Sequence, residues 1–148
     1  MQNVDEAVDA LARKSNLPTL KLNDAGVAEV VVGENLSVLL IKRGQTELEF
    51  ATYLEARQDR NESVLARLLQ ANHLGDAVGA GRIALDPDTD RLLLCERVDA
   101  AMVDEHSLER RLLEFIKYAA FWQSEEAQAL LGDETSVSPG LSEGMFRI

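Results

Sequence analysis

The chain has 148 residues and a formal net charge of −11 at pH 7, because 26 Asp and Glu outnumber 15 Lys and Arg. This acidity argues against binding to nucleic acid or to anionic lipid, since both require a net basic surface. A hydrophobic content of 46% is typical of one globular domain, and every apolar run is far shorter than the roughly 18 residues of a membrane span.

The first half of the chain predicts one helix followed by closely spaced strands. Apolar residues recur at intervals of three and four over residues 3–15, with Asn3 as the expected N-cap. A strand region around Leu20 and Leu22 comes next. Short turns between the strands favour an antiparallel meander. The further strands are expected over 27–32, 36–42 and 47–54, with turns at Gly26, Gly33 and Gly44.

The second half predicts a helix, a hairpin and a longer helix. Residues 61–74 carry a wide apolar stripe that ends at Gly75, a residue typical of helix C-termini. Residues 82–98 are expected to form a hairpin around an acidic turn. The longest helix is expected over 104–124. Residues 132–148 are polar and are interpreted as a flexible C-terminal tail after a single domain over 1–131.

These elements predict an α+β fold of order α-βββ-α-ββ-α, a twisted antiparallel sheet with helices packed on it. The 36–42 strand is apolar on both faces, at Val38-Leu39-Leu40-Ile41, and the 61–74 helix carries more apolar residues than one face needs. Two interpretations stay open. Either both faces belong to the core, or the chain is an obligate dimer with a further apolar surface for a peptide.

The residues that usually carry catalysis or bind metals form no constellation in this sequence. His73 and His106 lie on different predicted helices and are most simply structural. The acidic turn after Asp86 resembles the start of a calcium loop, but Arg91 and Arg97 stand where glycine and glutamate are needed. We therefore expect no enzyme, no metal site and no cofactor. A small-ligand or enzymatic domain is the less favoured alternative.

Cys95 is the only cysteine, so no internal disulfide can form. Its Leu-rich surroundings predict a small buried apolar residue, not a reactive thiolate. A chain without disulfides favours a reducing compartment. The first residues have neither the basic nor the apolar region of a secretory signal, so the expected location is the cytosol.

Four segments carry a pattern in common with a known family: Leu17-Pro18-Thr19-Leu20-Lys21-Leu22, Leu65-Ala66-Arg67-Leu68-Leu69-Gln70-Ala71-Asn72, Ile83-Ala84-Leu85-Asp86-Pro87-Asp88-Thr89 running into Leu92-Leu93-Leu94, and Phe115-Ile116-Lys117-Tyr118-Ala119-Ala120-Phe121-Trp122. The Leu-Leu-x-Ala-Asn and Ala-Leu-Asp-Pro-Asp pieces are fairly specific in combination. Over residues 3–125 the chain resembles the class I type III secretion chaperones, the Tir-chaperone (CesT) family.

The resemblance implies a function and a set of partners. Members of this family are small, acidic, homodimeric proteins of the bacterial cytoplasm. They bind the extended N-terminal segment of a secreted effector and keep it competent for secretion, without nucleotide hydrolysis. The Leu-Pro-x-Leu-x-Leu segment and the terminus at 144–148 also resemble a regulatory branch, in which the chaperone sequesters a small anti-activator and couples secretion to transcription.

The resemblance also implies where the partners bind. An effector segment would add a strand to a sheet edge and place apolar side chains in surface grooves. We expect partner binding on the first helix and the meander, and dimer contacts on the second helix and the hairpin, with the core as the alternative for each residue. The partner-binding residues are Val4, Val8, Leu11, Leu20, Leu22, Val30, Val32, Val38 and Leu40, and the dimer residues are Leu65, Leu68, Leu69, Leu92 and Leu94.

Overall fold

A computed structural model describes residues 1–54 and 61–132 and confirms the predicted order of elements. The five strands form one antiparallel sheet in the order β1-β2-β3-β5-β4. One helix that the sequence did not predict, α4, follows the last predicted one. The elements are α1 (Val4–Lys14), β1 (Val27–Val32), β2 (Leu36–Lys42), β3 (Glu47–Tyr53), α2 (Glu62–Leu74), β4 (Arg82–Asp86), β5 (Arg91–Asp99), α3 (Glu105–Trp122) and α4 (Glu125–Gly132).

Local chemistry sets the ends of the helices where the sequence predicted them. The Asn3 side chain accepts a hydrogen bond from the Glu6 N–H at 2.9 Å, and the Asp104 carboxylate accepts one from the Ser107 N–H at 2.7 Å. These oxygens satisfy backbone donors that the first helical turn leaves unpaired. Gly75 ends α2 in the left-handed conformation, at φ +77°.

One prediction about local structure is wrong, and the end of the last described helix differs by one residue from the predicted start of the tail. Residues 17–26 contain no strand, because Leu20 turns into the core and the Asn23 side chain accepts hydrogen bonds from the Ala25 and Val27 N–H groups in a tight turn. The chain also stays helical to Gly132, where the tail was predicted to begin. The rest of that predicted tail, residues 133–148, lies outside the described residues, and the domain boundary stays a prediction.

The core lies between the sheet and the two helices α1 and α3, which pack on the same face. Phe50 of β3 and Phe115 of α3 meet there with ring centroids 5.6 Å apart, and both are essentially inaccessible to solvent. Trp122 closes one end of the core and donates its indole N–H to the Ala77 carbonyl at 2.8 Å. This buried hydrogen bond satisfies the polar atom of an otherwise apolar ring.

In the part of the chain that the structure describes, helices cover one face of the sheet and leave the other open. On β2, Val38 and Leu40 point into the core and are fully buried, while Leu39 and Ile41 alternate to the opposite face and are half-buried. Successive side chains of a strand point to opposite faces, so this alternation follows from strand geometry. Within residues 1–54 and 61–132, no helix has both the length and the hydropathy that crossing a bilayer requires.

We expect Phe50→Ala to lower the free energy of unfolding by about 3–5 kcal/mol, because it leaves a cavity between the sheet and α3. Leu113→Ala on the exposed side of α3 serves as the control and is expected to change it by less than about 0.5 kcal/mol. Urea titration followed by circular dichroism measures both. Equal unfolding midpoints for the two variants would contradict this account of the core.

Candidate functional site

The two histidines and the cysteine lie on three different elements, α2, α3 and β5. Both histidines are solvent-exposed and lie on different helices. Among residues 1–54 and 61–132, no group of three His, Cys, Asp or Glu side chains could hold a metal ion. Cys95 is buried, and desolvation raises the pKa of its thiol. The features that remain for binding are surfaces, and three of them are open.

The structure places most of the predicted partner-binding residues in the core instead of a groove. Leu22 and Val32 are half-buried at its margin. The reason is the direction of the side chains: α1 turns its apolar stripe onto the sheet, and the even-numbered residues of β1 and β2 face the helices. The buried residues are Val4, Val8, Leu11, Leu20, Val30, Val38 and Leu40.

The predicted dimer residues divide between the surface and the core. Leu65 and Leu69, one helical turn apart on α2, are 42% and 68% exposed. Leu68 borders these two residues on the core-facing flank of α2, Leu94 lies in the centre of β5, and both are buried. Leu92 is half-buried against the core. The apolar stripe of α2 is wider than the core contact, so only its outer part is available to a partner.

The first open surface is the face of the sheet that no described helix covers, which we call the open face. It forms a concavity of ≈ 490 Å³. Small residues, Ala51, Ala84 and Cys95, lie at its centre, and larger apolar residues flank them. This surface was not predicted, because the residues expected to bind a partner on β1 and β2 lie on the other face of the sheet. The larger apolar residues are Val27, Leu39, Ile41 and Leu93.

A group of three arginines, which we call the arginine cluster, lies on the open face around the buried carboxylate of Glu49. Arg43 donates from Nε and Nη2 to one Glu49 oxygen, at 3.0 and 2.7 Å. Arg82 and Arg97 approach the other oxygen at 3.5 and 3.4 Å. The arginines come from β4, β5 and the turn after β2. Because they are far apart in the sequence, no linear motif predicts the cluster.

A second polar contact borders the open face at the β4–β5 turn. Tyr53 donates its hydroxyl to the Asp86 carboxylate at 2.8 Å, and the Arg91 guanidinium lies 4.1 Å above the Tyr53 ring. This hydrogen bond lowers the pKa of Asp86 and raises the pKa of Tyr53. The Asp88 N–H also donates a hydrogen bond to the Asp86 carboxylate. The acidic turn therefore stabilises the β4–β5 hairpin.

The second open surface is the edge strand β1. Gly26 accepts a hydrogen bond from the Lys42 N–H, so even-numbered residues of β1 pair with β2, whereas Val27 bonds outward to Asn23. By the alternation of antiparallel pairing, the N–H and C=O groups of Glu29 and Val31 also point outward. Val31 is 62% exposed, so this edge offers both backbone groups and an apolar side chain.

The third open surface, which we call the α2 patch, consists of Leu65, Leu69 and Leu85. The opposite edge strand, β4, carries Leu85, which is 51% exposed. The Asn72 amide of α2 binds both outward groups of Ile83, accepting from its N–H at 2.7 Å and donating to its carbonyl at 3.0 Å. Asn72 thus attaches α2 to the edge of β4, which gives the Leu-Leu-x-Ala-Asn segment a physical role.

Among the described residues, the sheet thus has one face without a helix, one open edge and exposed leucines beside the other edge, which are features typical of protein contacts. A sequence model of the Tir chaperone protein (CesT) family matches residues 6–123. The chain therefore belongs to this family and is a type III secretion chaperone. The family is made up of chaperones, which are not enzymes, and the predicted recognition is confirmed.

Solved structures of secretion chaperones have a similar fold. A chain in the ExsC–ExsE complex superposes with a TM-score of 0.66 at 20% identity, covering 88% of this chain and 95% of that chain. The Yersinia pestis chaperone SycH, solved with a fragment of YscM2, gives 0.60 at 21% identity, with 80% and 98% covered. The ExoT–SpcS complex from Pseudomonas aeruginosa gives 0.58 at 21%, with 78% and 92% covered. No curated protein matches the chain significantly.

We expect Cys95 in the folded protein to resist modification by Ellman's reagent near neutral pH. Its side chain is buried and its pKa is raised by desolvation, so little thiolate forms and little reagent reaches it. The same protein in urea should react at its one cysteine. Absorbance at the thionitrobenzoate band measures both rates, and equal rates would show that the open face gives access to the thiol.

Proposed function

We propose that this chaperone binds the extended N-terminal segment of a secreted effector in the bacterial cytoplasm and keeps it competent for secretion. The observation that carries the proposal is the uncovered face and edge of the sheet in a member of this family. An unfolded segment can add main-chain hydrogen bonds at the edge and apolar contacts on the face. Neither contact requires nucleotide hydrolysis.

The β1 edge and the open face supply different parts of this binding. The outward backbone groups of Glu29 and Val31 can pair with any extended segment, which favours affinity without sequence selection. The concave face beside them, lined by Leu39 and Ile41, accepts particular side chains and so favours selection. We therefore assign partner binding to the exposed residues Val31, Leu39 and Ile41 of β1 and β2, and no longer to the buried residues of the first helix and the meander.

We propose that two copies of the chain associate through the α2 patch. Leu65, Leu69 and Leu85 are exposed apolar side chains on neighbouring elements that Asn72 holds together. Exposed apolar side chains of this kind are typical of protein contacts. The net charge of −11 keeps such a chain soluble until the contact forms.

A second candidate function is the sequestration of a small anti-activator. The similarity to a chain of the ExsC–ExsE anti-activator complex, over 88% of this chain, favours it. Copurification from the native host followed by mass spectrometry distinguishes the two functions. A large secreted effector would support delivery, and a small regulatory protein would support control. A chain that copurifies with neither would contradict both.

We expect the double variant Leu65→Glu, Leu69→Glu to abolish the dimer, because four like charges would meet at an apolar contact. Light scattering should give 16.3 kDa for this variant and twice that mass for the unsubstituted chain. Leu113→Glu, at an equally exposed leucine on α3, is the control and should stay dimeric. A double variant that keeps the larger mass would place the dimer contact elsewhere.

We expect Val31→Pro to reduce partner capture roughly tenfold, as the loss of one or two main-chain hydrogen bonds would do. The Val31 N–H points away from β2, so proline removes a donor at the edge without breaking the sheet. Val31→Thr keeps the N–H and is the matched control. Calorimetry measures the affinity of each variant for the copurified partner. Equal affinities for Val31→Pro and Val31→Thr would exclude strand addition at β1.

A further inference from the structure

The arginine cluster gives the open face a local charge opposite to that of the whole chain. The protein carries −11 overall, yet Arg43, Arg82 and Arg97 converge on one buried carboxylate, that of Glu49. All three arginine side chains are about half-exposed, whereas the Glu49 side chain is only 4% exposed. Glu49 therefore fixes the arginines from below, and their outer surfaces face the concavity.

The arginines have more hydrogen-bond donors than the carboxylates beside them can accept among residues 1–54 and 61–132. Three guanidiniums present about fifteen N–H donors, whereas two carboxylates offer roughly eight lone-pair sites. The second carboxylate is Glu47, which lies 3.3 Å from Arg97 and is itself half-exposed. Guanidinium groups bind carboxylates in a planar, two-pronged geometry, so the spare donors suit a further carboxylate.

Apolar side chains lie directly beside these donors. Ile41 is the cross-strand neighbour of Glu49, and Cys95 is the neighbour of Arg82. Ala51 lies between them with too small a side chain to fill the space. A ligand on this face therefore meets guanidinium groups at one side and an apolar depression at the other.

We propose that the arginine cluster is a carboxylate-binding site that selects client segments carrying acidic side chains beside apolar ones. This inference rests on the proposed function and specifies which segments the open face holds. It runs against the net charge of the chain, which by itself would attract basic segments. The occupant follows from charge complementarity between the cluster and a carboxylate.

The other charged groups that line the open face do not cancel this selection. Asp86 already accepts hydrogen bonds from Tyr53 and from the Asp88 backbone. Asp88 lies on the exposed β4–β5 turn, at the rim of the concavity. Lys42 is engaged with Asp5 of α1 at 2.8 Å. The arginine cluster thus remains the strongest anion site that the face presents.

Panning a random library of phage-displayed dodecapeptides against the full chain tests the inference. The unsubstituted protein should enrich peptides that contain Asp or Glu next to apolar residues. Changing the acidic residue of one recovered peptide to its amide should raise the dissociation constant about tenfold, the effect of one charge-assisted hydrogen bond. Fluorescence polarisation of the labelled peptide measures this change.

The variant Arg82→Gln, Arg97→Gln should lose the acidic enrichment and keep the apolar one. Arg43 still pairs with Glu49 in this double variant, so the buried carboxylate keeps a compensating charge. If circular dichroism shows that the double variant is unfolded, the single variant Arg82→Gln is used instead. The matched control Arg110→Gln removes an exposed arginine from α3, which packs on the opposite face of the sheet.

The outcomes separate this inference from the proposed function. Loss of acidic enrichment in the cluster variant but not in the Arg110 control supports the carboxylate site. Apolar peptides without acidic enrichment, basic enrichment, or acidic enrichment that survives in the cluster variant would each overturn it. None of these three results contradicts the proposed chaperone function, which is tested separately by copurification with an effector. Failure to recover any peptide would overturn the inference as well.

Discussion

Within residues 1–54 and 61–132 the helices cover one face of the sheet only, and the rest of the described structure depends on this constraint. Each strand presents alternate side chains to its two faces. On β2 one set, which includes Val38 and Leu40, is sealed against α1 and α3, while Leu39 and Ile41 are left half-buried on the other. An apolar face of this kind must be filled by a partner or interrupted by charge. Charge interrupts this surface here, since Glu49 and its arginines lie within it.

The two edges of the sheet differ in whether their outward backbone groups are hydrogen-bonded. At β4, the Asn72 amide satisfies the outward groups of Ile83 and attaches α2 beside the strand, so this edge is partly closed and carries exposed leucines. At β1, the outward groups of Glu29 and Val31 have no such cover among the described residues. This asymmetry separates a side suited to contact between two copies from a side suited to an added strand. A chain held at the β1 edge would then lie next to the open face.

Charge has two roles that operate at different distances. The excess of acidic residues is spread over the surface and favours solubility, which a protein with exposed apolar surfaces requires. The arginine cluster acts only at contact distance, because salt screens charges separated by more than about 8 Å at physiological ionic strength. Within that distance of the arginine cluster a client segment experiences a cationic site, although the protein as a whole is acidic.

Most elements, their order and the family could be read from the sequence, because alternation, the caps at Asn3 and Asp104 and the stop at Gly75 are local signals. The strand expected around Leu20 and the helix α4 were the exceptions. The faces were decided only by tertiary structure. Because β2 is apolar on both sides, its sequence pattern fits either orientation of the strand. A shift of one residue in its pairing would bring Val38 to the open face and bury Leu39. The arginine cluster, drawn from β4, β5 and the turn after β2, exists only once those strands pair, so no linear pattern could have revealed it.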